Sequence, residues 1–353
     1  MIRVLVAEDS MVARQLLVHI LNTDPQIEVV GQAADGQSAI DQALELKPDL
    51  ITMDVQMPGM SGLEATHTIM STAPCPIVIV SAQDPSDVRT SMASMGAGAL
   101  AVLPKPTGPS DPKFEQKSRE LCSTVRAMSE VKVVKRRTSK TATKAQTDSQ
   151  PESALETNYK EKRQLRAIIV GSSTGGPDAL CEFLGALQKP DVPVLIVQHI
   201  SKGFHQGLAD WLDGQVDIPV NLAHEGMQIT PGEAFLASGD GHLTVRPGGK
   251  IHVDPAPPVG SHRPSVNMLF KSAARIWGAS AAAVVLTGMG EDGADGTQGL
   301  YDAGALILTQ DEDSCVVYGM PRVVVERGYS HHQMPPEQIA RYLNQFFGQN
   351  QSV

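Results

Sequence analysis

Apolar residues along the chain gather in short runs, with helix-spaced stripes between them. Within residues 1–125 the runs are Ile2–Ala7, Leu50–Met53, 77–80 and 99–103, with a weaker one at 28–31. Runs this short, bounded by turn residues, predict five strands. Leu16, Leu17, Ile20 and Leu21 recur at helical spacing after the first run. Ser61 and Glu64 give the S-x-x-E pattern of a capping box, which opens a later helix. Strand alternating with helix is the pattern of a doubly wound parallel sheet. Phe114, Leu121, Val125 and Met128 predict a last helix covering one edge.

From Arg126 to Arg166 the texture changes to Lys, Thr, Ser and Gln without a sustained apolar stripe. A solvated interdomain linker is the simplest reading. A basic nucleic-acid tail is the sharper alternative, but Glu residues interrupt the segment and no aromatic stripe accompanies it.

The alternation then restarts. Residues 167–170 form a strand that runs into GSSTGGP and a helix, and 192–198 form another that ends at His199. Phe204, Leu208, Trp211 and Leu212 mark a helix. Residues 242–254 read as a hairpin with Pro247-Gly248-Gly249 at its turn. Pro264 is expected to open a helix through Trp277, and 281–286 form a strand entering TGMGEDG. A further helix and a strand at 305–309 follow. The expected organisation is an α/β domain at 1–125, a basic linker at 126–166 and a second α/β domain at 167–347. Both are doubly wound. The first has a five-stranded parallel, flavodoxin-like sheet, and the second a Rossmann-like, mainly parallel sheet with a hairpin.

A length of 353 residues fits two domains. The 41% apolar fraction excludes global disorder. The net charge of -10 argues against wholesale phosphate-backbone binding, and 4% aromatics argues against stacking platforms for single strands. That charge is unevenly placed. Segment 126–166 holds 11 Lys/Arg and 5 Asp/Glu, a balance of +6, so the remainder carries -16. The four cysteines are scattered and form no C-x-x-C pair, which fits a reducing cytoplasm and no zinc ribbon. The first apolar run meets Glu8 and Asp9, so it does not read as a signal peptide. No run reaches the length of a membrane span.

In the first half, Glu8-Asp9, Asp54, Ser81 and Lys105 each follow a predicted strand, at the edge where such sheets bind ligands. A lone Asp after a strand is ordinarily a turn or cap residue. Three carboxylates on one edge repel each other unless a divalent cation joins them, and oxygen ligands suit Mg²⁺. Asp54 could then attack a phosphoryl donor, with Lys105 and the Ser81 hydroxyl meeting the phosphoryl oxygens. With the stretches EDS, MDVQMPGMSG, VIVSA and LPKP, residues 1–125 resemble response-regulator receiver domains. The resemblance implies phosphorylation at Asp54, Mg²⁺ held by Glu8, Asp9, Asp54 and the Gln56 carbonyl, and a cis Lys105-Pro106 peptide. One departure stands out. Receivers usually carry Tyr or Phe three residues before the lysine, and here that position is Val102.

In the second half, Gly171-Ser172-Ser173-Thr174-Gly175 matches G-x-S-x-G between a strand and a helix, the context of a nucleophile elbow. Gly-rich turns of this kind also cradle phosphates, but neither G-K-[ST] nor GxGxxG is present. A nucleophilic serine needs a base and an orienting carboxylate. His199 ends the next strand, and Asp292 lies just beyond another; the plainer readings are a structural histidine and a turn aspartate. His205, His224, His242 and His262 compete with His199 from less telling positions. The helix N-terminus after Ser173 offers backbone N–H groups, Thr174 first, to a developing oxyanion.

The order Ser, His, Asp differs from that of α/β-hydrolases. Together with GSSTGG, VQHI, HRPSVN, LTGMGEDGADG and CVVYGMP it resembles the CheB family of chemotaxis protein-glutamate methylesterases, over nearly all of residues 167–330. The resemblance implies Ser173 as nucleophile, His199 as general base then acid, Asp292 as orienting residue and the Met289 N–H as oxyanion donor. It implies hydrolysis of glutamate methyl esters on methyl-accepting chemotaxis receptors, with methanol released, and deamidation of certain receptor glutamines. A CheA-type histidine kinase is the implied phosphodonor. The unphosphorylated receiver is expected to cover the esterase site. The catalytic half is expected to need no metal, and neither nucleic acid nor membrane insertion is expected. A non-enzymatic scaffold is the alternative reading. A transcriptional regulator fits less well, because the second half lacks a basic recognition helix.

Overall fold

A computed structural model describes residues 1–81, 85–131, 164–188 and 190–347. Most of the expected linker, residues 132–163, lies outside the described residues. The N-terminal sheet contains β1 (Ile2–Ala7), β2 (Ile27–Ala33), β3 (Leu50–Met53), β4 (Ile77–Ser81) and β5 (Ala101–Pro104). Its order is β2-β1-β3-β4-β5, and every pair is parallel. The strands read as unbroken apolar runs because helices cover both faces. β1 sends Val4 and Val6 to one face and Leu5 and Ala7 to the other. Helices α1 (Met11–Asn22) and α5 (Phe114–Ser129) cover the first face. Helices α2 (Gly36–Leu46), α3 (Gly62–Thr72) and α4 (Pro85–Gly96) complete the βα alternation. The capping box at Ser61 and Glu64 is present. Helix α5 runs four residues past the expected boundary at 125, because Met128 continues its buried stripe of Leu121, Cys122 and Val125.

The second sheet has seven strands in the order β14-β13-β12-β6-β7-β9-β8, every pair parallel. These are β6 (Ala167–Ser172), β7 (Val194–Gln198), β8 (Val220–Leu222), β9 (Ala234–Leu236), β12 (Ala281–Val285), β13 (Leu306–Gln310) and β14 (His332–Met334). One face carries α6 (Gly176–Ala186), α7 (His205–Asp213) and α11 (Pro336–Asn344). The other carries α8 (Val266–Trp277), α9 (Ala294–Asp302), α10 (Met320–Glu326) and the antiparallel hairpin of β10 (His242–Arg246) and β11 (Lys250–Asp254). Strands β8, β9 and β14 show no signal in the sequence, since a three-residue strand has no period.

Two local expectations are corrected. Helix α8 begins at Val266, not Pro264, because Ser265 is its extended N-cap residue and turns its hydroxyl to Asp292. The Lys105-Pro106 peptide is trans; the one cis bond among the described residues is Arg263-Pro264. An X-Pro bond favours trans by about 0.5–1 kcal/mol unless its surroundings demand otherwise.

Candidate active site

Ser173 follows directly on β6, the strand between β7 and β12. Ser172 pairs with Gln198 across the parallel ladder, so Ser173 and His199 are the next residues on adjoining strands. The His199 N–H donates to the Ser172 carbonyl at 2.9 Å. On the other side, the Ser173 N–H donates to the Thr287 carbonyl at 3.0 Å. Gln198 secures the turn from beneath: it accepts from Ser172 Oγ at 2.6 Å and donates to the Ser173 and His199 carbonyls at 2.6 and 2.8 Å.

Ser173 is not at positive φ; the left-handed residue is Gly175, at φ +74°. A Cβ on Gly175 would lie 2.5 Å from Val316, and one on Gly176 would lie 1.9 Å from Gln198 Oε1. Conformation and space therefore both demand glycine here.

Asp292 comes from the loop after β12 and meets His199 with 2.8 Å between its Oδ2 and the ring Nε2. Its carboxylate also accepts from Ser265 Oγ at 2.8 Å and from the Val266 and Asn267 N–H groups at 2.7 and 3.1 Å. It thus sits on the N-terminus of α8, where the helix dipole favours negative charge. Burial opposes the charge, but hydrogen bonds from His199, Ser265 and Val266 outweigh it and hold the pKa at about 2. An ionised carboxylate makes Nε2 the protonated nitrogen of a neutral His199. Nδ1 is then the basic atom, and it is buried with no partner among the described residues.

Ser173 Oγ and His199 Nδ1 make no hydrogen bond in this structure; such contacts often tighten only when substrate binds. The Thr174 and Met289 N–H groups donate to no group among the described residues. Gly288 brings the Met289 loop against Ser173: a Cβ there would lie 2.7 Å from the serine Cβ. His242 is excluded as a base, since its Nδ1 accepts from the Ser265 N–H and its Nε2 lies 3.0 Å from the Pro257 carbonyl.

At the other sheet edge, Glu8, Asp9 and Asp54 each offer an oxygen within 4.8 Å of the others. Lys105 Nζ lies 2.8 Å from Glu8 and 2.9 Å from Asp54. The Glu8 Oε2 in that ion pair lacks a well-aligned hydrogen bond. Burial raises the pKa of Glu8 and of Asp54; Lys105 opposes this, and a neighbouring carboxylate adds to it in each case. Two buried carboxylates, Glu8 and Asp54, beside the exposed Asp9 offer mutually repelling oxygens that suit a hard divalent cation. Gly62 crosses so near that a Cβ would lie 1.9 Å from the Asp54 carbonyl. Ser81 is buried at the end of β4, and the Lys105 N–H donates to its carbonyl at 2.8 Å. Gln56 is exposed on the loop after Asp54. Val102 is buried in the core, so an aliphatic side chain fills the position receivers give to an aromatic.

Residues 168–343 match the family model for the CheB methylesterase, and residues 4–112 match that for the response regulator receiver domain. The protein-glutamate methylesterase/protein-glutamine glutaminase 4 of Myxococcus xanthus is 46% identical, over 98% of this chain and 97% of its own. The chain belongs to the CheB methylesterase family. A protein-glutamate methylesterase/protein-glutamine glutaminase of Nitrosospira multiformis is 42% identical over 97% of this chain and 96% of its own. The CheB methylesterase catalytic domain of Thermotoga maritima, a crystal structure, has 34% identity and a TM-score of 0.50. It covers 51% of this chain and 98% of that one.

In this CheB-family chain the receiver packs on the methylesterase half, with contacts close to the candidate site. Helix α4 packs along α7 and touches α6, and a Cβ on Gly96 would lie 3.3 Å from the Trp211 ring. Ser201 Oγ, two residues after His199, donates to Glu120 of α5 at 2.9 Å. Val316 and Val317 pack on the receiver core cluster. Met289, 47% exposed, borders a groove of about 720 Å³ whose other walls are receiver residues such as Ile2, Pro25 and Arg126. No helix among the described residues is long and apolar enough to cross a membrane.

Proposed function

We propose that this chain is a protein-glutamate methylesterase and protein-glutamine deamidase acting on chemoreceptors, in which a serine hydrolase site is gated by the receiver. The observation that carries the reading is the His199 ring. Its Nε2 is fixed on Asp292, and its Nδ1 has no partner among the described residues, one strand over from the β6 strand that leads into Ser173. Nδ1 takes the Ser173 proton as Oγ attacks the glutamyl carbonyl. The Met289 and Thr174 N–H groups receive the oxyanion. The imidazolium then returns the proton to the leaving group, which departs as methanol from an ester or as ammonia from an amide. Water, deprotonated by the same nitrogen, releases glutamate and restores the serine. Asp292 stays ionised throughout.

The receiver, to the end of α5 at Ser129, acts as the switch, the residues from there to 166 as the tether and 167–347 as the hydrolase. Asp54 is the phosphoacceptor, and Glu8, Asp9, Asp54 and the Gln56 carbonyl hold Mg²⁺. Mg²⁺ held there would supply charge neutralisation for a phosphoryl group, and Lys105 and Ser81 are placed to contact the phosphoryl oxygens. A CheA-type histidine kinase supplies the phosphoryl group in the cytoplasm. Phosphorylation adds about -1.5 to -2 charge beside Lys105. The contacts through α4, Glu120 and Met289 support occlusion of the site by the resting receiver. Each tenfold shift towards the open form requires about 1.4 kcal/mol of differential stabilisation.

With acetyl phosphate and Mg²⁺, methanol release from a methylated receptor is expected to rise for the parent and stay flat for Asp54→Asn. Equal stimulation of both would place the gate elsewhere.

A further inference from the structure

One segment, residues 259–267, touches both members of the His199–Asp292 pair. Its end supplies the Ser265 hydroxyl and the Val266 and Asn267 N–H groups to the carboxylate. Its start is a tight turn in which Val259 and His262 exchange backbone hydrogen bonds of 3.1 Å, with Gly260 at φ +59°. That turn lays the His262 ring flat on His199, with centroids 3.9 Å apart and planes inclined by 6°. The His262 ring makes no hydrogen bond among the described residues. The stack is therefore its specific interaction, and the catalytic scheme above gives it no part.

We infer that His262 is a positioning residue for the reaction, covering one face of the His199 imidazole and fixing its plane. The inference rests on the proposed triad. A single hydrogen bond from Nε2 to Asp292 fixes one point of the ring and leaves it free to tilt about that bond. A flat aromatic neighbour removes the tilt and keeps Nδ1 aimed along the sheet edge towards Ser173. Burial pushes the His262 pKa down to about 4; His199 adds to this and Asp292 opposes it. The covering ring is thus neutral when His199 takes up a proton, so its face meets the imidazolium as a π surface without like-charge repulsion.

The test uses the full chain with methylated receptor, acetyl phosphate and Mg²⁺, and separates kcat from KM. His262→Ala is expected to lower kcat by about 10- to 100-fold, the scale of a misplaced catalytic group, and to leave KM within about twofold. His262→Phe keeps an aromatic face and is expected to stay within about threefold of the parent. His262→Gln, flat-ended but ringless, is expected to fall with the Ala variant and replaces it if Ala fails to fold. A kcat for the folded Ala or Gln variant within about twofold of the parent overturns the inference. So does a Phe variant as slow as they are. Ser173→Ala runs alongside: if it keeps turnover, the triad itself has failed, whereas a silent Ser173→Ala beside a fast His262→Ala rejects the positioning role alone.

Discussion

Asp292→Asn is expected to lose about 10⁴-fold in methanol release, measured on folded protein with phosphodonor present. The loss follows from the donors around the carboxylate. Ser265 Oγ, the Val266 and Asn267 N–H groups and His199 all point at its two oxygens. An amide has one oxygen, so its NH₂ must face donors, and His199 no longer has a carboxylate to hold its tautomer. The same change reports on stability. The Asp292 pKa of about 2 lies below its ordinary 3.8. Because the folded value is the lower one, the stabilisation is present above about pH 4 and is lost as pH falls through about 2. That shift corresponds to about 2 kcal/mol. Denaturant titration at neutral pH is expected to find Asp292→Asn less stable by a similar amount. A variant with parental turnover would show that His199 does not need this carboxylate.

Ser173→Ala is expected to lose at least about 10³-fold, with its fold intact. The serine side chain has no structural duty comparable to that of Ser172, whose buried hydroxyl is hydrogen-bonded to Gln198. The backbone of Ser173 is held by its N–H, which donates to the Thr287 carbonyl, and by its carbonyl, which accepts from the Gln198 side-chain amide; Ala preserves both. A fluorophosphonate probe is expected to label the parent at Ser173 and to leave the Ala variant unlabelled. Labelling at another residue would move the nucleophile, and absence of labelling would favour a non-enzymatic scaffold.

Much of this site could be read from the sequence because Ser173, His199, Asp54 and Lys105 each stand one residue past a buried strand. Continuous apolar runs such as 167–170 locate the strands, and parallel strands present their C-terminal ends on one edge. Ser173, His199 and Asp54 follow from that rule alone. Other features depend on contacts between distant segments. The sequence favours His199 over His242 only by its place after a strand; their hydrogen bonds separate them outright, since one is without a partner at Nδ1 and the other is bound at both nitrogens. The His262 stack arises from a local turn, closed between Val259 and His262, that meets His199 far earlier in the sequence. G-x-S-x-G shows a tight turn, but that its left-handed residue is Gly175, with Val316 and Thr287 leaving no room for a Cβ, depends on contacts with distant segments. The expected boundary at 125 cut through α5, because the basic residues that mark the linker begin on the exposed side of a helix still buried at Met128.

Methanol release from a methylated chemoreceptor by the full chain, with and without acetyl phosphate and Mg²⁺, tests the central claim most directly. The account predicts release by the parent, stimulated by the phosphodonor, and none above background from Ser173→Ala under either condition. No release from the phosphorylated parent, or equal release from the Ser173→Ala protein, would contradict it.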